Sequence, residues 1–334
     1  DETWNKFLDQ LTVEQLCNTV TDSKSTNTIS TLDVPGNTKG DDDTNAAGGA
    51  IQFVSHPLTA RTWNTDMNEK RGLYEGLICT LNGKDEIWYG AGNLHRHPYG
   101  GRAGQYWSED ATLDYYNGYY EAQAAQSVGC ITCVKHMACN DQEAKRTGLS
   151  VFVDEQALRE IYLRAFEGAF DGGALSVMTT TGRIGTRLGK NYSALLTTVL
   201  RDEWGFQGHV TSDGYVNTGY YNNTLEELEA GMDYSCCDSA GSNAQRILNA
   251  IKAGDGNMLK QVRRAAKNNL YVMTQTASMN GLGNGSAVVA IVPAWEMAVA
   301  VTNIVVAVLL VACLVMTVVQ TRKNGKTKKE EIEA

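Results

Sequence analysis

The sequence predicts an α/β protein, a TIM-like (β/α)8 barrel followed by a single transmembrane helix. From about residue 128, short apolar runs alternate with amphipathic stretches, which is the order of strands and helices in a parallel sheet. Residues 297–319 contain 23 consecutive residues without a charge, and a helix of this length crosses the hydrocarbon core of a bilayer. We therefore predict a barrel over residues 1–280, a linker over 281–296, the span over 297–319 and a basic cytoplasmic tail over 320–334.

The individual elements of the barrel follow from the spacing of apolar residues. Apolar runs predict strands at 130–136, 174–179, 208–212 and 232–236. Amphipathic periodicity predicts helices at 1–20, 154–170, 192–204, 224–231 and 243–254. The stretch 21–49 is rich in Thr, Asn, Asp and Gly, so we expect it to form a loop.

Charge and cysteine usage exclude several classes of protein. The formal net charge of −9 argues against a nucleic-acid-binding protein, which needs a basic patch to meet phosphates. Cys130 and Cys133 lie in an apolar run without a second CxxC pair or a histidine cluster, so we interpret them as buried thiols rather than zinc ligands. We predict no metal site and no cofactor.

The residues that follow the apolar segment predict the orientation of the chain in a membrane. Basic residues are enriched on the cytoplasmic side of membrane spans, and five of them occur here: Arg322, Lys323, Lys326, Lys328 and Lys329. We therefore predict a single-pass protein of the cell membrane whose barrel lies outside the cytoplasm.

Candidate functional residues follow from the rule that active sites of parallel barrels lie at the carboxyl ends of the strands. The rule selects Lys135 with His136, Thr179–Arg183, Asp213, and Asp233–Asp238. A lysine–histidine pair and a carboxylate at one mouth suit a hydroxylated ligand such as a sugar. An aromatic residue such as Trp107 or Tyr215 would stack on the sugar ring. The alternatives are a surface role for Lys135 and a strand-closing role for Asp213.

Five stretches of the chain carry a family resemblance. They are GAGNLHRHPYGGRAGQYWSED (90–110), VKHMACNDQEAKR (134–146), DEQALREIYLRAFE (154–167), LLTTVLRDEWGFQGHVTSDGY (195–215) and KNNLYVMTQTASMNGL (267–282). In this order they resemble the barrel domain of glycoside hydrolase family 3, in its β-glucosidase branch. The resemblance spans nearly all of residues 1–282. It is greatest to bacterial members with swapped domain order, in which an α/β sandwich precedes the barrel.

Together with the predicted membrane span, the resemblance implies a membrane-anchored retaining β-glycosidase. Its substrate would be a terminal non-reducing β-D-glucosyl residue of a β-glucoside or an oligosaccharide, or, in a relative, a β-xyloside. The resemblance implies that Asp213 is the nucleophile, and that Lys135, His136 and Arg102 bind sugar hydroxyls. The family's early Asp-Gly-Pro loop clasps the far edge of the sugar. We assign that role to Asp43, with Asp41 and Asp42 as alternatives.

The sequence departs from the family pattern at several places near these residues. The Asp-Gly-Pro loop reads Asp43-Thr44-Asn45, and the usual G-R-N-F-E-Y reads GRAGQY at 101–106. The segment 178–183 reads MTTTGR and lacks the aromatic residue beside the nucleophile, and Gly214 replaces an aromatic residue after Asp213. Such losses widen a sugar site and weaken the positioning of the ring.

The acid/base residue is a separate question. In β-glucosidases of this family it is a glutamate of the sandwich domain, and no part of this chain resembles that domain. We therefore expect the acid/base to come from outside this chain, from an upstream sandwich domain or a partner chain, with Glu143 and Asp141 as alternatives within this chain. A non-catalytic glycan-binding or scaffold protein on a decayed barrel is the second hypothesis for function. A single-span receptor is the third, and it leaves the ordered barrel motifs unexplained.

Overall fold

The computed structural model describes residues 2–22, 28–32, 34–36, 38–41, 52–89, 92–214, 223–236, 242–279, 292 and 294–333. For residues 22, 41, 89 and 325–333 it describes the backbone alone. The chain divides into two units, Asp1–Gly281 and Leu282–Ala334.

A TIM-like α/β barrel sheet forms the centre of the first unit, and ten strands lie among the unit's described residues. They are β1 Thr21–Asp22, β2 Lys39–Asp41, β3 Glu86–Tyr89, β4 Ile131–Met137, β5 Ser150–Val151, β6 Ser176–Thr179, β7 Arg183–Ile184, β8 Arg187–Leu188, β9 His209–Thr211 and β10 Ser235–Cys236. A parallel sheet runs in the order β2-β3-β4-β6-β9. A parallel bridge from Thr211 to Tyr234 leads on toward β10, which pairs in parallel with β1. The strands predicted at 130–136, 174–179 and 208–212 are confirmed to within two residues.

Helices alternate with these strands. The α-helices are α1 Glu2–Leu8, α2 Val13–Thr19, α3 His56–Ala60, α4 Thr65–Leu81, α5 Ala111–Ser127, α6 Glu155–Ala157, α7 Arg164–Asp171, α8 Thr224–Ala230, α9 Ser242–Lys252, α10 Gly256–Thr274 and α11 Ala294–Glu333. Two π-helical segments cover Leu158–Tyr162 and Ala194–Glu203. Short 3-10 helices cover Ser30–Leu32, Arg146–Gly148, Gly189–Asn191 and Ala277–Met279. Beside the barrel sheet, β7 pairs in parallel with β5 and antiparallel with β8.

The prediction of one helix over residues 1–20 is wrong, because the chain breaks into α1 and α2 at Thr12. The hydroxyl of Thr12 accepts a hydrogen bond from the backbone N–H of Gln15 (3.2 Å), and the Gln15 side chain accepts one from the N–H of Thr12 (2.8 Å). This capping box satisfies backbone donors at a helix start. The amphipathic pattern continues across the break, so periodicity alone does not reveal it.

Helices α4 and α5 were not predicted, because the faces that they bury are polar or lack side chains. The buried positions of α4 include Asn68, Arg71, Gly72 and Glu75. A pattern search looks for large aliphatic residues at helical spacing, and the buried positions of these two helices are mostly polar residues, glycines and alanines.

Glycines bring three helices into backbone contact. A Cβ atom on Gly72 of α4 would overlap the carbonyl oxygen of Glu121 in α5. A Cβ atom on Gly168 of α7 would overlap the carbonyl oxygen of Tyr115 on the same helix α5. The absence of side chains at these glycines lets α4 and α7 approach the backbone of α5 directly.

We expect Gly168→Ala to lower the free energy of unfolding by about 1–3 kcal/mol, the usual cost of overpacking a tight contact. The added methyl group must push α7 away from α5. Urea unfolding followed by circular dichroism measures the change. Gly256→Ala at the start of α10 is the matched control, because no atom lies within 4 Å of the Cβ position there. An equal loss in both variants would contradict the close approach of α5 and α7.

A cluster of charged residues lies inside the barrel. Glu86 is fully buried, and its Oε2 lies 3.4 Å from Lys39 Nζ and 3.2 Å from His209 Nε2. Its Oε1 accepts hydrogen bonds from Trp88 Nε1 (2.8 Å) and Ser176 Oγ (2.7 Å). Burial by itself raises the pKa of Glu86, but the charges of Lys39 and His209 outweigh it and hold the pKa below the usual range. The cluster links β2, β3, β6 and β9 at the centre of the sheet.

The second unit contains α11. Within its stretch Ala294–Asn324, an 18-residue window has a mean hydropathy of 2.8 and no buried residue. By length and composition this helix is able to cross a membrane.

Candidate active site

Charged side chains meet where neighbouring strands of the parallel sheet end. Lys135 and His136 lie near the carboxyl end of β4, and Asp213 follows β9. Arg102 belongs to the segment after β3, and Arg146 to the segment after β4. Because parallel strands end at the same edge of the sheet, these segments converge on one mouth of the barrel.

The carboxylate of Asp213 is held by the guanidinium of Arg146 and the backbone N–H of Gly214. Its Oδ2 lies 2.9 Å from Arg146 Nη1 and 3.6 Å from His136 Nε2. Its Oδ1 accepts a hydrogen bond from the backbone N–H of Gly214 (2.7 Å). The side chain keeps 15% of its surface accessible, so a small ligand in the mouth can reach it.

His136 is a neutral imidazole in this site. Burial lowers its pKa well below the usual value, and the positive charges of Lys135, Arg102 and Arg146 lower it further. Nε2 lies 3.3 Å from Arg102 Nη1, a cation that can only donate, so Nε2 accepts. The proton is then on Nδ1, which donates to the hydroxyl of Tyr106 (3.4 Å). His136 therefore presents a fixed polar ring rather than a second charge.

A chain of alternating charges connects Arg102 to Asp213. Arg102 Nε donates to Glu143 Oε1 (2.7 Å), and Asn140 Nδ2 donates to the same oxygen (2.8 Å). Glu143 Oε2 lies 3.5 Å from Arg146 Nη1, and that guanidinium is the one beside Asp213. The order is thus arginine, glutamate, arginine, aspartate.

Backbone contacts fix the loops that carry these groups. Asn93 Nδ2 donates to the carbonyl of His136 (2.9 Å), and Asn93 Oδ1 accepts from the N–H of Asn140 (3.0 Å). The N–H of Thr180 donates to the carbonyl of Met137 (2.8 Å), which ties the segment after β6 to β4. The geometry of the mouth therefore depends on residues from three successive loops.

Among the residues predicted from sequence, Arg102, His136 and Asp213 lie together at the mouth. Lys135 is 3% exposed, stands opposite Met178 in the β4–β6 register, and acts on the site through its charge beside His136. Asp43 and its alternative Asp42 lie outside the described residues, and for Asp41, at the end of β2, only the backbone is described.

Two other predictions at the mouth are wrong. Trp107 does not stack on a ligand, because it is fully buried and its Nε1 donates to Glu121 Oε2 (3.0 Å) among the helices. Asp233, the first residue of the predicted stretch Asp233–Asp238, precedes β10 and lies away from the carboxyl end of that strand, buried in an ion pair with Arg201. Asp238 lies outside the described residues. Tyr215 lies outside the described residues.

Sequence reasoning did not identify Arg146 as part of the site, and it treated Glu143 only as an alternative acid/base. The signal was the stretch NDQEAKR at 140–146, which carries charges of both signs directly after a strand end. Which of those charges point into the mouth depends on contacts with Arg102 and Asp213, which are distant in sequence. Cys130 and Cys133 are buried free thiols, as predicted.

The chain matches known proteins over the same region. The family model "Glycosyl hydrolase family 3 N terminal domain" matches residues 84–268. A beta-glucosidase of Ruminococcus albus is 33% identical over 249 residues, which is 72% of this chain and 26% of that protein. An exo-alpha-(1->6)-L-arabinopyranosidase of Bifidobacterium breve is 36% identical over 249 residues, 73% of this chain and 32% of that protein.

Solved structures agree in fold. The structure of beta-glucosidase 3B from Thermotoga neapolitana in complex with glucose superposes with a TM-score of 0.75 at 27% identity. The superposition covers 82% of this chain and 43% of the other. The chain spans about a quarter to a third of the length of the curated relatives that it matches.

Proposed function

Because this chain belongs to glycoside hydrolase family 3, we propose that it forms the barrel part of a retaining β-glycosidase. Its substrates are β-glucosides and oligosaccharides with a terminal non-reducing β-D-glucosyl residue. The observation that carries the proposal is the partly accessible carboxylate of Asp213, which pairs with Arg146 and lies beside the neutral ring of His136.

In the first step, an Asp213 oxygen attacks the anomeric carbon C1 and the bond from C1 to the leaving oxygen breaks. A carboxylic acid protonates that oxygen, so the alcohol leaves neutral and the sugar remains as an ester on Asp213. Retaining glycosidases hold the two carboxyl groups about 5–5.5 Å apart. We propose that the acid comes from a segment outside this chain, an upstream α/β sandwich domain.

In the second step, the same outside carboxylate takes a proton from water while the water oxygen attacks C1. The ester bond breaks and Asp213 leaves as a carboxylate. Two inversions at C1 give net retention. Arg146 contributes in both steps, because its guanidinium orients the carboxylate before attack and stabilises it again on release.

The sugar hydroxyls would be bound by Arg102, Lys135 and His136, with Asp43 at the far edge of the ring. His136 suits this role because it is fixed and neutral. The relatives carry names for two different glycosides, so the sugar is the part of the proposal that a substrate panel must test.

The test compares the chain with a version extended by the upstream coding sequence. We expect the extended protein to hydrolyse 4-nitrophenyl β-D-glucopyranoside faster than the α-L-arabinopyranoside, and proton NMR to detect β-glucose as the first product. A 2-deoxy-2-fluoroglucoside should add one sugar mass to the peptide that contains Asp213. First formation of α-glucose would contradict retention. Glucose binding without any hydrolysis would favour the non-catalytic glycan-binding alternative.

We also propose that α11 anchors the protein in the cell membrane with the barrel outside the cytoplasm. The support is the exposed apolar stretch Ala294–Asn324, with Trp295 near its start and Arg322 and Lys323 near its end. Tryptophan is enriched at membrane interfaces and basic residues on the cytoplasmic side.

The anchor predicts how the protein fractionates. We expect the full chain to stay in the membrane pellet after extraction with alkaline carbonate, and a version that ends at Met279 to appear in the supernatant with an unchanged melting temperature. Release of the full chain by carbonate would exclude a membrane-spanning helix.

A further inference from the structure

We infer that Glu143 is a positioning residue, which aims Arg102 at the sugar and Arg146 at the nucleophile. The inference rests on the proposed function of the same site. It assigns to Glu143 a role distinct from the acid/base role considered from the sequence, and it predicts a different pattern of kinetic changes.

The backbone places Glu143 at the point where two loops meet. Its N–H donates to the carbonyl of Gly100 (2.8 Å), which joins the segment after β4 to the segment after β3. At Gly101, which has a φ of +90°, an added Cβ atom would lie 3.0 Å from both Cβ and Cγ of Glu143. Glycine is therefore required at this position, and the Glu143 side chain has little room to move toward Arg102's loop.

The carboxylate is oriented by donors on each side. Oε1 accepts from both Arg102 Nε and Asn140 Nδ2, so both of its lone pairs are used. Oε2 faces Arg146 Nη1 at 3.5 Å. A proton on Oε2 would point toward N–H groups of a guanidinium, which only donate. This arrangement suits a permanent acceptor and does not suit a group that delivers a proton to a leaving oxygen.

Removal of Glu143 would leave two guanidinium groups beside one carboxylate. Arg102 and Arg146 would then compete for Asp213, whose Oδ2 already lies 2.9 Å from Arg146. A second cation on Asp213 would turn the carboxylate away from the sugar and would take Arg102 away from the sugar hydroxyls. Both binding and turnover would decrease.

Two substitutions separate the functions of the two carboxylate oxygens. In Glu143→Gln the amide oxygen occupies the Oε1 position, because Arg102 and Asn140 both donate there, and the amide NH2 then faces Arg146. Only the contact with Arg146 is lost. Glu143→Ala loses both contacts.

We expect Glu143→Gln to lower kcat about tenfold and to change KM by less than about threefold. We expect Glu143→Ala to lower kcat similarly and to raise KM about tenfold or more, the effect of losing a hydrogen bond to a charged group. Gln142→Ala is the matched control, because it removes an exposed side chain of the same loop whose amide donates locally to the carbonyl of Ala144 (2.9 Å). We expect wild-type constants for this variant.

Calorimetric titration with D-glucose gives a readout that does not need hydrolysis. Glucose affinity should fall about tenfold in Glu143→Ala and less than about threefold in Glu143→Gln. If the wild-type protein binds glucose in this pattern but hydrolyses nothing, the positioning role stands and the hydrolase proposal fails. If hydrolysis is normal and all three variants share wild-type KM and kcat, the positioning role is wrong. A wild-type protein that neither binds nor hydrolyses overturns both.

Azide distinguishes positioning from acid/base catalysis. If Glu143 were the acid/base, azide would restore turnover of Glu143→Ala by attacking C1 of the sugar ester, with release of Asp213 as a carboxylate and formation of β-glucosyl azide. We expect no rescue by azide. Detection of β-glucosyl azide with this variant would overturn the inference.

Discussion

Asp213→Asn is expected to lower kcat for 4-nitrophenyl β-D-glucopyranoside by about 10⁴-fold or more in the extended protein, which corresponds to about 5 kcal/mol in the barrier. An amide has no anionic oxygen to form the ester with C1. Among the described residues, the other carboxylate next to Arg146 is Glu143, and it cannot take over because Arg102 engages its Oε1. The loss should appear in kcat rather than in glucose affinity.

The variant should fold as the wild type does. Asn retains an oxygen that accepts from the N–H of Gly214, as Asp213 Oδ1 does now. Asp202→Asn is a suitable control, since Asp202 is an exposed carboxylate on the preceding π-helix. Normal turnover in Asp213→Asn, or labelling of a different peptide by the fluoroglucoside, would show that another residue is the nucleophile.

The strands that were predicted well from the sequence are those whose burial is evident from their own residues. β4 is buried along all seven of its residues, from Ile131 to Met137, and a continuous apolar run records that burial directly. Once such strands are recognised, the residues at their carboxyl ends follow from the geometry of parallel barrels. For this reason His136 and Asp213 could be selected from the sequence alone.

The elements that sequence missed are stabilised by partners distant in the chain. β2 reads Lys-Gly-Asp and has no apolar residue, yet Lys39 is 3% exposed. Its place in the sheet depends on Glu86, the residue directly opposite in the parallel register. The same limit applies to Arg146, whose position beside Asp213 depends on the packing of two loops. Long-range charge pairing leaves no periodic signal in a local window.

The second large effect is the loss of stability expected when the buried charge of Glu86 is removed. We expect Glu86→Gln to lower the free energy of unfolding by about 3–5 kcal/mol, the usual result of removing one partner of a buried ion pair. The amide can still accept from Trp88 and Ser176, so the shape of the core is retained. The substitution removes the counter-charge for Lys39. The ring of Tyr234, whose centroid lies 3.7 Å from the Lys39 ammonium, remains in contact with it.

A double-mutant cycle identifies the cause. Lys39→Met combined with Glu86→Gln removes the Lys39–Glu86 ion pair, and we expect it to recover most of the stability lost in Glu86→Gln. Glu155→Gln is the matched control, because its side chain is 77% exposed in a surface pair with Arg159, and exposed pairs contribute about 0–1 kcal/mol. Urea unfolding measures the wild type, Glu86→Gln, Lys39→Met, the double variant and the control. If Glu86→Gln costs no more than Glu155→Gln, Lys39 has another counter-charge, and the contact with Glu86 is not what holds β2 beside β3.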